Sequence, residues 1–169
     1  MLDAMCSSPA SGSGGKRLAR VGPDAFDHGA QAHGAAYSYV VLPAKTAAQT
    51  EAYAAALPIT ILAQDGKAHA VRQNARGAVG VVFWAPGSVG KLAADRACVA
   101  YYEETADGLV LAVSDPTHAA STFHVTIDEP LAPVQLPAEV SSTVSDGKTI
   151  LTYRAERGRN YLVRLARSE

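Results

Sequence analysis

The amino-acid sequence predicts an all-β protein, an antiparallel β-sandwich that carries one short helix near residues 46–56. Short apolar segments separated by glycine-containing turns recur at the spacing of roughly 8–12 residues that is typical of sandwiches. Only one segment has a helix-forming composition, and no strand–helix–strand alternation indicates a parallel nucleotide-binding sheet. At 169 residues the chain is long enough to bury one core of ordinary size.

The first predicted elements are a strand and a helix. Residues 36–43 are rich in aromatic and β-branched side chains and end in a proline, which favours a strand. The alanine-rich segment 46–56 follows, in which Thr46 and Gln49 have the spacing of a capping box at a helix N-terminus. Pro58 ends the helix, because the residue before a proline is disfavoured in helical geometry.

The remainder of the chain is predicted to consist of strands. Asp-Gly pairs at 107–108 and 146–147 predict two hairpin turns. Phe123, Val125 and Ile127 alternate with polar residues and are therefore predicted to face the core. Strands are predicted over residues 58–62, 67–73, 78–84, 97–103, 109–114, 123–128, 140–145, 149–155 and 161–166.

Residues 1–20 are rich in serine and glycine, and we predict that they form a disordered lead-in. They contain no apolar segment of the length that a secretory signal requires, so no signal peptide is visible. A mis-assigned or truncated gene start would produce the same pattern.

The charge of the chain is nearly balanced, with 15 Lys and Arg against 16 Asp and Glu and a net charge of -1. A nucleic-acid-binding protein would need a basic excess or a basic stripe, and the sequence has neither. No apolar run approaches the roughly 18 residues of a membrane-spanning helix. We therefore expect neither a nucleic acid nor a membrane as a partner.

Metal and cofactor sites are not expected. No segment matches a nucleotide-binding, metalloprotease or hydrolase motif. His28 and His33 lie in a Gly- and Ala-rich segment with no Cys or Glu placed to complete a zinc site. Cys98 lies within an apolar run, so we expect it to be a small buried hydrophobic residue rather than a reactive thiol.

Candidate acid–base groups and sugar-binding rings are few. Glu103-Glu104 and Asp128-Glu129 lie at predicted strand ends, where solvated carboxylates are the usual finding, so we assign no catalytic residue. Exposed aromatic rings can stack on sugars, and Trp84 is the candidate glycan contact. Core packing is the alternative role for this ring and for the other aromatic residues.

Several segments, taken together and in order, resemble polysaccharide lyase family 8, which includes the hyaluronate, chondroitin AC and xanthan lyases. The resemblance covers about residues 24–166. Phe26-Asp27-His28-Gly29-Ala30-Gln31, followed by residues 35–43, is similar to the end of the family's central β-domain. Residues 50–54 and 58–62 are similar to the linker helix and the first strand of its C-terminal domain. The later strands of that domain resemble residues 69–72, 80–84 and 109–117.

The resemblance implies a domain organisation and an absence of catalytic groups. Residues 21–57 would be a remnant of the central β-domain with its linker helix, and residues 58–169 the C-terminal β-sandwich domain. Family 8 enzymes cleave uronate-containing polysaccharides by β-elimination, using Asn, His, Tyr and Arg from an N-terminal helical toroid and a Glu from the central domain. No residue here matches those motifs, so we expect the chain alone to be inactive. The parent family is extracellular or periplasmic.

The function that the resemblance implies is a C-terminal module that supports a lyase body and contacts polysaccharide weakly. Its partners would be the polysaccharide and an N-terminal catalytic module, if one is encoded upstream. The alternative is a stand-alone carbohydrate-binding or interaction β-sandwich with no lyase connection. In the first case residues 36–43 have lost their partner strands, and we expect them to dock on residues 58–169 or to drive self-association through a free edge.

Overall fold

The fold is built almost entirely from antiparallel strands. In the part of the chain that the structure describes there is a single helix, which confirms the predicted all-β class with one short helix. No helix in that part is long and apolar enough to cross a membrane. A computed structural model describes residues 3–7, 17–20, 36–119, 121–156 and 158–167.

The chain divides into two compact units, Met1–Leu57 and Pro58–Glu169. The first unit contains strands β1, β2 and β3 and helix α1, which span Asp3–Ser7, Arg17–Arg20, Ser38–Val41 and Ala47–Ala55. Its three strands form one antiparallel sheet in the order β2-β1-β3. The assignment of residues 21–57 to a central-domain remnant stays a prediction.

Helix α1 begins with the predicted capping box. The Gln49 N–H donates a hydrogen bond to Thr46 Oγ1 at 3.3 Å, and the Thr46 N–H donates to Gln49 Oε1 at 3.0 Å. These bonds satisfy two of the backbone donors that a helix N-terminus leaves unpaired. The helix ends at its C-cap Ala56, two residues before Pro58.

Part of the predicted disordered lead-in forms strands instead. Strand β1 pairs with both β2 and β3, so the prediction for residues 1–20 is wrong at residues 3–7 and 17–20. The remaining residues of that range lie outside the described residues. Pairing with a strand of high β propensity can override a Ser- and Gly-rich local composition, because strand formation depends strongly on context. Strand β3 therefore has a partner strand within the chain, and it lies at the edge of its sheet.

The second unit is a sandwich of two antiparallel sheets. Its strands β4 to β15 span, in chain order, Ile59–Gln64, Ala68–Gln73, Ala78–Phe83, Gly87–Val89, Leu92–Ala94, Cys98–Thr105, Gly108–Ser114, Ser121–Ile127, Leu131–Gln135, Val140–Ser145, Lys148–Ala155 and Asn160–Arg167. A seven-stranded sheet has the order β12-β15-β10-β9-β6-β5-β4, and a five-stranded sheet has the order β13-β14-β11-β8-β7.

Three strands of the second unit were not predicted. Strands β7 and β8 have only three residues each, which is too short for alternation to be recognised. Strand β12 contains Pro133, which argues against an internal strand, and it lies at the edge of its sheet, where a proline is tolerated. The nine strands predicted from residue 58 onward are all present, with boundaries that differ by up to two residues.

The two predicted Asp-Gly turns differ in geometry. Asp146 and Gly147 have φ values of 51° and 72°, the left-handed pair that a two-residue hairpin turn favours. In the other hairpin Gly108 is already the first residue of β10 and pairs with Thr105. The turn is therefore one residue earlier than predicted. A β-carbon at Gly108 would collide with the Leu165 backbone carbonyl, so the glycine permits the close approach of β15.

The core lies between the two sheets. Phe123, Val125 and Ile127 are fully buried, which confirms the predicted inward face of β11. The Phe123 ring stacks on Tyr153 with centroids 5.0 Å apart, and Tyr153 meets Tyr161 edge-to-face at 5.7 Å. Cys98 is also fully buried, as expected of a small hydrophobic residue.

Candidate functional site

Trp84, the candidate glycan contact, lies on the surface of the larger sheet. It follows β6, and its backbone N–H donates to the Lys67 carbonyl at 2.8 Å. The side chain is 56% exposed, and its ring meets the edge of His69 with centroids 5.7 Å apart and an interplanar angle of 87°. The ring therefore has a fixed neighbour and a face open to solvent.

Strand alternation explains why Trp84 points outward. Val79, Val81 and Phe83 of β6 are buried between the sheets, so the residues between and after them face the opposite side. The outward side of the seven-stranded sheet is called the outer face from here on. Core packing, the alternative role for this ring, does not apply at Trp84.

Tyr101 occupies the same outer face and has a fixed orientation. Its hydroxyl donates to Glu103 Oε2 at 3.0 Å, and the Arg76 guanidinium binds both carboxylate oxygens of Glu103 at 3.1–3.2 Å. The hydrogen bonds from Tyr101 and Arg76 lower the pKa of Glu103, and the bond to Glu103 raises the pKa of Tyr101. Glu103 is therefore held as a carboxylate.

The Glu103-Glu104 pair does not form a carboxylate pair, because alternation along β9 turns the two side chains to opposite faces. Glu104 instead joins an ion-pair network. Lys91 Nζ lies 3.0 Å from both Glu104 and Glu129, and Arg167 lies 2.7 Å from Glu129 and 3.8 Å from Glu104. Burial alone would raise the pKa of Glu129, but hydrogen bonds from Lys91 and Arg167 lower it.

The outer face carries a continuous apolar row across six strands. Antiparallel pairing places its members side by side, since directly opposite residues share a face. Its four larger side chains are each 41–48% exposed. We call this set the apolar row; its members are Ile61, Val71, Gly80, Tyr101, Ala112 and Leu162.

The outward side of the five-stranded sheet has a different character. On β11 the outward residues are Thr122, His124 and Thr126. The His124 N–H donates to Asp95 Oδ1 at 2.8 Å, and His124 Nδ1 lies 2.6 Å from Asp95 Oδ2. The outward residues of β11 are polar, as is usual for a solvated antiparallel sheet, whereas the apolar row crosses the middle of the outer face of the larger sheet.

Asp115 is a buried carboxylate in the second unit. It accepts hydrogen bonds from the Thr117 N–H at 2.8 Å and the Thr117 hydroxyl at 2.6 Å, and Arg96 lies 3.5 Å away. Burial alone would raise the pKa of Asp115, but the bonds from Thr117 and the charge of Arg96 lower it. These contacts organise the loop after β10, and they leave the carboxylate with no access to solvent.

Metal-binding chemistry has no candidate within the described residues, where no group of three or more His, Cys, Asp or Glu side chains could hold an ion. His28 and His33 lie outside those residues. The sequence did not predict the apolar row or the Tyr101 network, and it left Tyr101 among the strand aromatic residues that either pack in the core or contact sugars. The alternation of buried and exposed residues along β9 could have placed Tyr101 on the outer face. Predicting the apolar row also requires the order of the strands in the sheet.

Comparison with known proteins matches this sandwich to one family. Residues 60–124 match the model of the polysaccharide lyase family 8, C-terminal beta-sandwich domain. A hyaluronate lyase of Thermasporomyces composti is 36% identical over 111 residues, which are 64% of this chain and 14% of that protein. A xanthan lyase of Bacillus sp. (strain GL1) is 38% identical over 97 residues, 56% of this chain and 10% of that protein.

Solved structures show the same fold. A Paenibacillus xanthan lyase superposes with a TM-score of 0.73 at 27% identity, covering 79% of this chain and 13% of the lyase. A Streptomyces coelicolor A3 chondroitin AC lyase, a Y253A mutant, superposes with a TM-score of 0.72 at 21% identity, covering 79% of this chain and 19% of that lyase.

These matches define the class of domain as a C-terminal β-sandwich domain of the kind found in polysaccharide lyase family 8. The family model over residues 60–124 and the two sequence relatives match the sandwich unit to the C-terminal domain of polysaccharide lyase family 8. The predicted resemblance is therefore confirmed for the sandwich unit. The chain matches only about a seventh or less of the length of the two sequence relatives.

Proposed function

We propose that the chain is the non-catalytic C-terminal module of a longer polysaccharide lyase, which it supports structurally, and that it does not cleave polysaccharide by itself. The observation that carries the proposal is the state of its carboxylates. Hydrogen bonds from Tyr101 and Arg76 keep the pKa of Glu103 below its usual value, and hydrogen bonds from Lys91 and Arg167 do the same for Glu129. A general acid or base needs a pKa near the working pH and access to substrate, and neither carboxylate has that pKa.

An assay for new unsaturated uronate ends tests the proposal that the chain does not cleave polysaccharide. The full chain is incubated with hyaluronan, chondroitin and xanthan, with a complete family 8 lyase as the positive control. We expect no product above the buffer blank. Turnover that survives repeated purification and disappears in a His28→Ala variant would contradict the proposal.

The supporting role is tested in a chimera. The hyaluronate lyase relative is truncated before the segment that matches this chain, and residues 58–169 are grafted in its place. We expect the chimera to recover melting temperature and soluble yield lost on truncation. A chimera no more stable than the truncated lyase would favour the alternative of a stand-alone module. The DNA upstream distinguishes the lyase module from the stand-alone module. Sequence there that encodes a helical toroid domain, in frame or with a frameshift, would indicate a lyase fragment.

Weak polysaccharide contact at Trp84 is a second proposed role, supported by its exposed ring and its fixed neighbour His69. The net charge of -1 supplies no long-range attraction to a polyanion, so binding should depend on ring stacking and little on salt. Affinity electrophoresis with hyaluronan and xanthan should show weak retardation that Trp84→Ala abolishes and Leu162→Ala retains. Tight, strongly salt-dependent binding would contradict it. We further propose that the parent lyase acts extracellularly or in the periplasm.

A further inference from the structure

The apolar row is unusual for a surface that faces water. A solvated side of an antiparallel sheet normally carries polar residues, as the outward side of β11 does. The row instead crosses six neighbouring strands with no charged member. Contiguous exposed apolar surface of this kind marks interaction sites.

The middle of the row has a hollow beside a projecting ring. At Gly80 nothing lies within 4 Å of the position that a β-carbon would take, so the sheet is open there. Directly across the strand pair, Tyr101 projects a ring whose hydroxyl is anchored by Glu103. A hollow and a projection in neighbouring strands are the two halves of a self-complementary surface, because a two-fold axis between them brings each onto the other.

We propose that the outer face is a dimer interface between two copies of this chain, related by a two-fold axis that runs parallel to the strands between β6 and β9. This axis places Tyr101 of each copy over Gly80 of the other. It also places Val71 of each copy opposite Ala112 of the other, again a large side chain facing a small one. The proposal goes beyond the supporting and glycan-contact roles and does not depend on them.

The ends of the row and its neighbours fit the same axis. Ile61 on β4 faces Leu162 on β15, two side chains of equal size. In one of the two neighbouring outward rows, the axis brings apolar groups together at the centre and polar groups together toward the rim, which is the usual anatomy of an interface. The facing pairs of that row are Val82 with Val99, His69 with Ser114, and Gln64 with Asn160. In the other neighbouring row, the axis places Glu103, with its Arg76 ion pair, opposite Ala78.

The size of the face is that of a small interface. Five strand spacings and three outward rows give a patch of about 24 Å by 20 Å, or about 500 Å² on each copy. The total of about 1,000 Å² lies at the lower limit for specific complexes. We therefore expect a weak dimer that dissociates on dilution, with a dissociation constant of micromolar order.

The test is sedimentation equilibrium of the full chain over a wide concentration range, with Val71→Lys and Gly80→Val as variants. We expect a monomer–dimer equilibrium that each variant weakens at least about tenfold. Gly80→Val is the decisive variant, because nothing in the monomer lies within 4 Å of the β-carbon position and a valine favours a strand. If association were only non-specific and hydrophobic, an added valine would strengthen it. If the partner's Tyr101 occupies the hollow at Gly80, the valine fills that space and weakens the dimer.

Val144→Lys is the matched control, since Val144 is 55% exposed on the other sheet and Val71 is 48% exposed. It should leave the dimer unchanged, and thermal melts should show that all variants fold. Each of three results would overturn the proposal: a chain that stays monomeric to near-millimolar concentration, association that survives both Val71→Lys and Gly80→Val, or tighter association of Gly80→Val. A monomer whose Tyr101 fluorescence responds to hyaluronan or xanthan oligosaccharides would assign the row to glycan instead.

Discussion

Thr149 and Leu131 join the two sheets of the sandwich through a buried hydrogen bond. The Leu131 N–H on β12 donates to Thr149 Oγ1 on β14 at 2.7 Å, and the same hydroxyl donates to the Glu129 carbonyl at 2.8 Å. One side chain thus satisfies two backbone groups where the chain passes from the five-stranded sheet to the seven-stranded sheet.

Replacing Thr149 with valine should destabilise the protein by about 1–3 kcal/mol, because a methyl group would leave the buried Leu131 N–H without a partner. Urea unfolding measures the change. Thr149→Ser is the matched control, since it keeps the hydroxyl, and it should lose less than the valine variant. Equal losses for the two variants would assign the effect to packing rather than to the hydrogen bond.

Gly108→Ala should destabilise the fold by about 1–3 kcal/mol or more, the usual cost of overpacking. The added methyl group would meet the Leu165 backbone, which cannot move without breaking the β10–β15 pairing. Gly66→Ala is the control, because nothing lies within 4 Å of its β-carbon position. Thermal melts of the two variants should therefore separate clearly, and similar melts would contradict the close approach of β15.

The stability of the fold should fall in acid partly through Glu129. Its pKa is lower in the fold than its ordinary value of 4.5, so the folded state favours the carboxylate. This contribution is fully present above pH 4.5 and is lost as the pH falls through the lower folded pKa. Glu129→Gln should therefore flatten the decline of unfolding free energy below pH 4.5. Glu51→Gln on α1 is the control, and an equal flattening there would contradict a specific role of Glu129.

Cys98 should resist alkylation in the native protein. Burial, together with the nearby Asp95 and Asp115, raises the pKa of its thiol to about 12, and the side chain has no exposed surface. Iodoacetamide at mildly alkaline pH should leave Cys98 unmodified in a Cys6→Ser background and modify it fully in urea. Rapid native labelling would indicate local opening of the core around β9.

The elements that the sequence predicts best are those whose signals are local. The Asp146-Gly147 turn forms where it was predicted, because its geometry depends on two residues that adopt left-handed conformations readily. The turn before Gly108 is displaced, because the reason for that glycine lies at Leu165, far along the chain. Local composition likewise indicated disorder for residues 3–7, whose strand depends on pairing with β3.

The candidate site was predictable only in part. The aromatic character of Trp84 suggested a surface contact, and alternation on β6 could place it outward. The apolar row is different, because its members come from six strands whose neighbours are set by the sheet order and not by the sequence order. No local pattern brings Ile61 and Leu162 onto one face.

The place of β15 between β10 and β12 has a consequence for synthesis of the protein on the ribosome. Strand β12 precedes β15 in the chain and is therefore synthesised first. Because β12 pairs only with β15 in its sheet, it has no hydrogen-bonding neighbour there until Asn160–Arg167 has been synthesised. The nascent sandwich therefore stays open at this sheet until residue 167 has been translated and released from the exit tunnel. A premature stop codon before Asn160 would leave β12 without a pairing strand, and it would also expose the edge of β10 that normally pairs with β15.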